Sequence, residues 1–229
     1  MNAFILAAGE GRRLRPITKT TPKCLIKIRG VTLLDLWLQK LVLAGVKKIY
    51  INVFHLSDQI ISHIKKSRFV FRVKIINERK LYGTAGSLYR NINYFIKDDK
   101  ELLLLHGDNY CEENLNNFIK FHKKQLKKNF FTMMSFKTKN PHECGVLLTD
   151  KTNTMVKYYE KIKFFHGNDA NAAVYILNKN FLDYFKKNFK NTKDFSKEVI
   201  PHFTNKIKVF FTKKIFDDIG TFKNYTKYL

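Results

Sequence analysis

Glycines and basic side chains follow the first apolar segment of the chain at a spacing suited to binding a polyphosphate. Residues 4–8 lead into Gly9 and Gly11, and the basic residues that follow are Arg12, Arg13, Arg15 and Lys23. Glycines permit positive φ and let backbone N–H groups approach phosphate oxygens. Guanidinium groups offer paired donors to phosphate, whereas the ammonium of Lys23 is a compact charge suited to a single oxygen. The sequence therefore predicts a phosphate-binding turn, with positive φ at Gly9 and Gly11.

Two common phosphate-binding loops are absent from this stretch. It lacks the G-x-x-x-x-G-K-[ST] pattern of a P-loop, and Leu14 stands where a dinucleotide-binding G-x-G-x-x-G needs glycine. Pro16 and Pro22 fix φ and disfavour helix, so residues 17–21 are expected to form an irregular loop. The residues therefore favour an enzyme acting on a nucleoside triphosphate over a P-loop ATPase or an NAD enzyme.

An ordered series of motifs resembles the sugar-phosphate nucleotidyltransferase family. The stretch Leu6-Ala7-Ala8-Gly9-Glu10-Gly11-Arg12-Arg13-Leu14 with Pro22-Lys23 is similar to the family signature. The further matches, in the family's order, are Glu78, Gly83-Thr84-Ala85-Gly86, Gly107-Asp108, Gly145, Glu160-Lys161, Asn171 and Asp218-Ile219-Gly220-Thr221. The resemblance covers nearly the whole chain. It implies transfer of a nucleotidyl group from a nucleoside triphosphate to a sugar 1-phosphate, with release of pyrophosphate.

The resemblance also implies a role for each matching residue. Arg13, Lys23 and Asp108 would be catalytic, with Arg13 on the leaving pyrophosphate and Lys23 on the α-phosphate. Asp108 and Asp218 would hold Mg2+, a hard cation that prefers oxygen ligands. Nucleotide-binding residues implied are Leu6, Ala8, Gly9, Gly11, Arg12, Arg13, Glu78, Gly83 and Thr84, and substrate-binding residues are Gly145, Glu160, Lys161 and Asn171. The role of the Arg12 side chain stays open because the family often has threonine there, and Asp217 is interpreted as a turn residue.

The identity of the nucleotide and of the acceptor is a finer prediction. Residues 83–88, 132–136 and 167–175 look most like compact mannose-1-phosphate or heptose-1-phosphate guanylyltransferases, which predicts GTP and a GDP-sugar product. Cytidylyl- and uridylyltransferases share every phosphate and metal residue, so CTP or UTP with another acceptor, such as phosphocholine, is the alternative. A non-catalytic nucleotide-binding or nucleic-acid-binding protein is the alternative of another class.

The composition limits the partners that are expected. A net charge of +24 and a pI near 9.9 are typical of proteins that bind nucleic acid or anionic membranes. The excess is mostly lysine spread along the chain, so we interpret it as a compositional bias and predict neither partner. Three scattered cysteines, no cleavable leader and no apolar run of about 18 residues favour a cytoplasmic protein. The sequence does not indicate an oligomeric state.

Short apolar runs that alternate with amphipathic stretches carry these motifs. Predicted strands are 3–7, 48–54, 73–78, 102–106, 130–137, 145–149, 154–160, 171–177 and 207–212, and predicted helices are 31–44, 57–67, 84–95, 112–128, 179–187 and 195–204. Gly45 is expected to end the first helix, and Ser57 to cap the second. The alternation is typical of an α/β fold with a mostly parallel sheet.

With the resemblance, the predicted fold is a three-layer, Rossmann-like, GT-A-like nucleotidyltransferase fold with a smaller sugar-binding lobe. Phosphate ligands of such sheets bind beyond the carboxyl ends of the strands, where Gly9, Glu78 and Asp108 fall. We expect a single domain. Its expected parts are a nucleotide-binding core at about 1–138, a sugar-binding portion at about 139–216, and a metal turn and helix at 217–229.

Overall fold

The computed structural model describes residues 1–96, 101–125, 129–161 and 166–228. Its strands are β1 (Asn2–Leu6), β2 (Lys27–Ile28), β3 (Val31–Thr32), β4 (Ile49–Val53), β5 (Val73–Asn77), β6 (Glu101–His106), β7 (Asn109–Cys111), β8 (Phe131–Lys137), β9 (Gly145–Thr149), β10 (Met155–Glu160), β11 (Asp169–Asn178), β12 (Ile207–Phe211) and β13 (Phe216–Asp218). Its helices are α1 (Leu33–Leu43), α2 (Ser57–Lys65), α3 (Gly83–Ile96), α4 (Leu115–Lys124), α5 (Lys179–Asn188) and α6 (Phe222–Tyr225). Within these described ranges, no helix has the length and apolar character needed to cross a membrane.

The chain forms two compact units. The first unit consists of Met1–Leu81, Leu105–Leu115 and Lys214–Leu229, and the second of Tyr82–Leu104 and Asn116–Lys213. In the first unit, β1 pairs in parallel with β4, and β4 pairs in parallel with β5. Since all three strands run in the same direction, their carboxyl ends lie at one edge of the sheet, where the predicted phosphate-binding residues begin.

The second unit is built mainly from antiparallel pairs. Strand β11 pairs antiparallel with β8 and β9, and β10 with β9, whereas β12 pairs in parallel with β8. Aromatic rings fill the core beside β8, where Phe131 lies 4.9 Å from Phe181 and 5.8 Å from Phe203 between ring centroids. These edge-on contacts add attraction beyond the apolar area that they bury.

Most predicted elements are present with ends shifted by one to three residues, and the α/β fold class is confirmed. Gly45 follows α1 with φ +76°, as expected for a residue just past a helix end. The prediction for Ser57 is wrong, because Ser57 is the first helical residue and the preceding Leu56 has φ +50° without a side-chain cap. The predicted helix 112–128 is the shorter α4, and residues 126–128 lie outside the described ranges.

A further difference concerns the predicted helix 195–204. The structure has a π-helical turn, Phe195–Val199, followed by a 3-10 helix, Ile200–Phe203. Pro201 explains the break, because proline lacks the N–H that a continuing helix would use and crowds the preceding turn. The two-residue and three-residue strands β2, β3, β7 and β13 were not predicted, since such short segments have no resolvable periodicity.

A buried histidine links α4 to two strands of the second unit. His122 is bonded through Nδ1 to Oγ1 of Thr132 at 2.7 Å and through Nε2 to Oε1 of Glu101 at 3.3 Å. The hydrogen bond from His122 outweighs the effect of burial and lowers the pKa of Glu101. The ionised form of Glu101 is therefore stabilised by the fold.

We expect Glu101→Gln to lower the free energy of unfolding by about 1 kcal/mol at neutral pH, since a hydrogen bond to a charged group is weakened. The folded-state pKa of Glu101 lies below its unfolded value of about 4.3. Its contribution is therefore fully present above that pH and is lost as the pH falls through the folded pKa. Urea unfolding at about pH 7 and about pH 3 measures the difference between the two proteins.

The control for this prediction is Glu143→Gln, which changes an exposed glutamate. Its difference from the wild type should stay near zero at both pH values. A Glu101→Gln difference that is the same at acid and neutral pH would contradict the proposed contribution of the ionised carboxylate.

Candidate functional site

The ammonium of Lys23 lies between two carboxylates that are distant along the chain. Its Nζ donates to Oδ2 of Asp108 at 2.6 Å and to Oδ1 of Asp218 at 3.2 Å. The Lys23 side chain is only 8% exposed. Burial disfavours the charged form, but the attraction of the two carboxylates prevails and raises the pKa of Lys23. The ammonium is therefore a fixed, permanently charged group.

Arg13 and Asp108 complete this cluster. Nη2 of Arg13 donates to Oδ2 of Asp218 at 3.0 Å, so Asp218 pairs with Arg13 through one oxygen and with Lys23 through the other. For Asp108, burial acts to raise the pKa, but the ammonium of Lys23 prevails and lowers it. Two positive and two negative groups thus converge at one place in the first unit.

A short two-stranded sheet brings the two aspartates together. Strand β7 pairs antiparallel with β13, and the register sets Asn109 opposite Asp218. Asp108 directly precedes Asn109, so this register carries Asp218 to its side. The indole Nε1 of Trp37 in α1 donates to the carbonyl of Asn109 at 2.9 Å and so holds the start of β7. The sheet and α1 therefore set the spacing of the carboxylates.

Close packing around the cluster depends on two glycines. A Cβ at Gly220 would lie 2.7 Å from Nη2 of Arg13 and from a carboxylate oxygen of Asp218. A Cβ at Gly107 would lie 2.7 Å from Cγ2 of Ile5 in β1. The apolar support beneath the cluster consists of the buried residues Leu14, Ile26, Ile28, Leu33, Tyr110 and Ile219. Any larger residue at position 220 would displace the Arg13–Asp218 pair.

The neighbouring Asp217 faces the carboxyl-terminal segment instead. The hydroxyl of Tyr228 donates to its Oδ2, and Nζ of Lys227 lies 3.7 Å from its Oδ1. Adjacent residues of a strand point to opposite faces, which separates Asp217 from Asp218. Asp217 lies in strand β13 and not in a turn, so that part of its interpretation is wrong, while its observed contacts are not with Lys23 or Arg13.

The glycine turn after β1 is stabilised by hydrogen bonds from residues outside it. Gly11 has φ +62°, and a Cβ there would lie 2.9 Å from Cγ2 of Thr18. The hydroxyl of Thr18 donates to the Gly11 carbonyl at 2.9 Å, and Nε2 of His55 contacts the Thr18 carbonyl at the same distance. Residues Ile17–Lys19 form a 3-10 turn, so the expected irregular loop is partly ordered by these bonds. Sequence reasoning missed Thr18 and His55.

The prediction of positive φ at Gly9 is wrong. Positive φ occurs at Gly11 in this turn and not at Gly9. Among the described residues, no protein atom lies within 4 Å of a Cβ placed at Gly9. The reason for glycine at position 9 is therefore not a left-handed backbone, and the space beside it is open.

Glu10 holds the outer arginines of the turn. Its Oε2 lies 2.5 Å from Nε of Arg12 and 3.4 Å from Nη2 of Arg15. The hydrogen bond from Arg12 is the main reason why the pKa of Glu10 is lowered. Arg12 is 74% exposed, unlike the buried Lys23. The structure thus gives Arg12 a carboxylate partner that sequence reasoning did not anticipate.

An amide joins the carboxyl ends of three strands in the first unit. Oδ1 of Asn52 in β4 accepts from the Ala7 N–H at 2.8 Å, and its Nδ2 donates to Oε1 of Glu78 at 3.1 Å. Leu6 is the register partner of Asn52, and Glu78 is buried just after β5. Sequence reasoning missed Asn52, although an amide within the otherwise apolar β4 was an available signal.

In the second unit, Gly83 and Thr84 pack the start of α3 against the chain before the π-helical turn. Gly83 has φ +78°, and a Cβ there would lie 2.4 Å from the carbonyl oxygen of Lys193. The Thr84 hydroxyl accepts a hydrogen bond from the Phe195 N–H at 2.8 Å. These contacts account for both residue types without a ligand, and a role in reading the base stays a prediction.

The four predicted substrate-binding residues also belong to the second unit. Gly145 in β9 is the register partner of Glu160 in β10, and Nζ of Lys161 lies 3.8 Å from Oε1 of Glu160. Asn171 in β11 donates to the hydroxyl of Tyr175 at 2.7 Å. Gly145, Glu160 and Lys161 therefore lie close together. Asn171 is hydrogen-bonded to Tyr158 and Tyr175, which the sequence analysis did not single out.

The chain is similar to known proteins in sequence. The nucleotidyl transferase family matches residues 2–228. Mannose-1-phosphate guanyltransferase of Yarrowia lipolytica is 32% identical over 80% of this chain and 51% of its own length. Mannose-1-phosphate guanylyltransferase catalytic subunit beta of Drosophila melanogaster is 30% identical over 88% of this chain and 54% of its own length. The chain thus spans about half the length of these two curated relatives.

A solved structure is similar over the full length. HddC from Yersinia pseudotuberculosis, whose crystal structure is complexed with GMP-PN, has a TM-score of 0.80 and 26% sequence identity. The similarity covers 99% of this chain and 97% of that one. Since the family match and this structural likeness both extend from end to end, the chain belongs to the nucleotidyl transferase family.

Proposed function

We propose that the protein transfers a nucleotidyl group from a nucleoside triphosphate to a sugar 1-phosphate and releases pyrophosphate. GTP is the proposed donor, and mannose 1-phosphate or heptose 1-phosphate the proposed acceptor. The observation that carries this proposal is the cluster in which Lys23 lies between Asp108 and Asp218 while Arg13 binds Asp218. Such a cluster combines fixed positive charge with carboxylates suited to a divalent cation, as phosphoryl chemistry requires.

The reaction needs positioning more than proton transfer. An oxygen of the sugar 1-phosphate attacks the α-phosphorus, the bond from that phosphorus to the bridging oxygen breaks, and pyrophosphate leaves with the electron pair. The attacking oxygen already carries negative charge, so no general base is required. The barrier is lowered by holding two polyanions in line and by stabilising charge on the transferred group.

The chain's own cations are assigned to these tasks. Lys23 has three N–H donors, of which two bind carboxylates, so the third can donate to an α-phosphate oxygen. Arg13 is 55% exposed and presents a planar fork that suits the leaving pyrophosphate. The open space beside Gly9 leaves room for phosphate oxygens near the backbone N–H groups of the turn.

Asp108 and Asp218 are the proposed ligands of Mg2+. Both carboxylates already share one cation, the Lys23 ammonium, so they are close enough to serve a single ion. The described residues contain no group of three or more histidine, cysteine or acidic side chains that could enclose a metal ion. Two carboxylates that leave positions for water and phosphate fit Mg2+ better than a fully enclosed protein site. When bound, the ion would neutralise phosphate charge.

The relatives support the choice of substrate. The names of the Yarrowia and Drosophila relatives describe transfer of a guanylyl group to mannose 1-phosphate. The Glu160 carboxylate and the Asn171 amide oxygen can accept hydrogen bonds from sugar hydroxyls, whereas the quaternary ammonium of phosphocholine has no donor to offer. We therefore assign the sugar-binding role to Gly145, Glu160, Lys161 and Asn171, and base recognition to Glu78, Gly83 and Thr84.

The proposed setting is the cytoplasm. Cys24, Cys111 and Cys144 are thiols that form no disulfide within the described residues, which agrees with a reducing compartment. The proposed division of labour within the single domain assigns the nucleotide to about residues 1–138 and the sugar to about 139–216. We propose small-molecule partners only, with no nucleic acid and no membrane.

The first prediction of this function concerns substrates. With Mg2+ present, we expect pyrophosphate release with GTP and mannose 1-phosphate or heptose 1-phosphate. ATP, CTP and UTP should give much slower release, and phosphocholine should give none. A coupled pyrophosphate assay over the four nucleotides and a panel of acceptors measures this. Turnover with CTP or UTP alone would identify the protein as a cytidylyltransferase or uridylyltransferase. Nucleotide binding without turnover would indicate a non-catalytic nucleotide-binding protein.

A second prediction concerns Asp108. We expect Asp108→Asn to lower kcat by about a hundredfold or more, because it removes a proposed metal carboxylate and one partner of Lys23. Circular dichroism should show an unchanged fold, since the amide keeps the shape of the side chain. Retained turnover in the folded variant would refute the metal role.

A third prediction uses two adjacent aspartates. Asp218→Asn should lower kcat by about a hundredfold or more, whereas Asp217→Asn should leave kcat within about twofold of the wild type. The reason is that Asp218 contacts Arg13 and Lys23, and Asp217 contacts Tyr228 and Lys227. Initial rates and melting temperatures of both variants are measured together. Equal losses of kcat would contradict the separation of the two roles.

A further inference from the structure

A partly buried network of hydroxyl and amide groups is bonded to Glu160 in the second unit. Its members come from β10, β11 and the π-helical turn, and they are Tyr158, Glu160, Asn171, Tyr175 and Ser196. Tyr175 is 1% exposed. Buried polar groups are costly unless they are bonded, so a network of this kind needs a structural or functional reason.

The network ends on one oxygen of Glu160. Tyr158 and Glu160 are two residues apart in β10, so their side chains lie on the same face of the strand. The Tyr158 hydroxyl donates to Oε2 of Glu160 at 2.6 Å. The other oxygen, Oε1, faces Nζ of Lys161 at 3.8 Å, which is beyond normal hydrogen-bond length. Tyr158 thus fixes one side of the carboxylate and leaves the other side able to accept.

Asn171 holds Tyr158 from the other side. Its Nδ2 lies 3.3 Å from the Tyr158 hydroxyl and 2.7 Å from the Tyr175 hydroxyl, as a donor to both. Its Oδ1 accepts from the N–H of Ala173 at 2.9 Å, and Ala173 has φ +51°. The bulge in β11 between Asn171 and Tyr175 therefore has the amide as its internal bond. The Nδ2 donors of Asn171 are thus used within the network, whereas its Oδ1 can accept one more hydrogen bond.

Gly145 makes room for the Tyr158–Glu160 pair. A Cβ at Gly145 would lie 2.0 Å from the Tyr158 hydroxyl oxygen and 2.6 Å from Oε2 of Glu160. No side chain can occupy that volume while the pair keeps its geometry. The glycine is thus explained by the hydrogen bond itself, before any ligand is considered.

We propose that Tyr158 is a positioning residue that orients the Glu160 carboxylate toward the hydroxyls of the acceptor sugar. The inference rests on the proposed function, because it concerns the acceptor side of that reaction. A glutamate side chain has three rotatable bonds and loses considerable freedom when it is fixed. The bond from Tyr158 removes this freedom before the acceptor binds, so that binding costs less. Burial, Tyr175 and Glu160 raise the pKa of Tyr158 well above its usual value, so its hydroxyl keeps the proton that it donates.

The test is Tyr158→Phe, which removes one hydroxyl and keeps the ring. We expect the KM for the sugar 1-phosphate to rise about tenfold, the loss of one hydrogen bond to a charged group. The KM for the nucleotide should stay close to the wild-type value, and the melting temperature should fall by only a few degrees, as expected for the loss of one hydrogen bond. In a Glu160→Ala background, Tyr158→Phe should raise the acceptor KM no further, because its effect passes through that carboxylate.

Two matched controls accompany the test. Tyr159→Phe makes the same change on the opposite face of β10, where Tyr159 stacks on His166 at 4.1 Å between ring centroids. Ser135→Ala removes a buried hydroxyl opposite Asn171 that has no hydrogen-bond partner among the described residues. Neither control should change the acceptor KM.

The outcomes separate this inference from the proposed function. Wild-type turnover with an unchanged acceptor KM in Tyr158→Phe overturns the positioning role and leaves the proposed function in place. An equal rise in the KM values for the nucleotide and the acceptor also overturns it, since Tyr158→Phe would then destabilise the protein generally. A tenfold rise of the acceptor KM in the Glu160→Ala background overturns it as well, since Tyr158 would then act on the acceptor without Glu160. Absence of wild-type turnover with every sugar phosphate overturns the proposed function and this inference together.

Discussion

A buried ammonium held by two carboxylates is the interaction on which the first unit depends. Lys23 bonds to residues that are 85 and 195 positions away in the chain. A buried charge that lost both partners would cost several kcal/mol, so the burial of Lys23 depends on this pair of aspartates. Three features place the aspartates beside Lys23: the β7–β13 register, the hydrogen bond from Trp37 and the glycine at position 220. The same geometry brings two cations and two carboxylates together, and the chemistry that we propose for the unit rests on it.

The second unit follows the same physical rule with neutral groups. Tyr175 is buried, Tyr158 and Asn171 are partly buried, and each is bonded to another member of the network. Tyr158 bonds one oxygen of Glu160, Asn171 bonds across the bulge in β11, and Gly145 makes room for the pair. Both units therefore place a few polar groups in positions that the surrounding fold determines.

The basic side chains of the glycine turn differ in how far they are exposed to solvent. Lys23 is buried and doubly paired, whereas Arg12 is largely exposed and bound to Glu10. In the first case burial fixes the charge, and in the second an exposed ion pair contributes little to stability and exchanges easily. This difference explains why the net charge of +24 says little about function, while one lysine of the 43 basic residues says much.

The sequence by itself determined the alternation of strands and helices, the glycine turn after β1 and the residue types that could bind phosphate and metal. Each of these depends on neighbours within a few positions, and local propensity and periodicity record such neighbours. The tertiary structure alone decided that Arg13, Lys23, Asp108 and Asp218 meet, that Asn52 and Thr18 brace the turn, and that Tyr158 stands behind Glu160. It also overturned the positive φ at Gly9 and the cap at Ser57. Contacts between residues far apart in the chain arise from strand register and core packing, which no local pattern encodes.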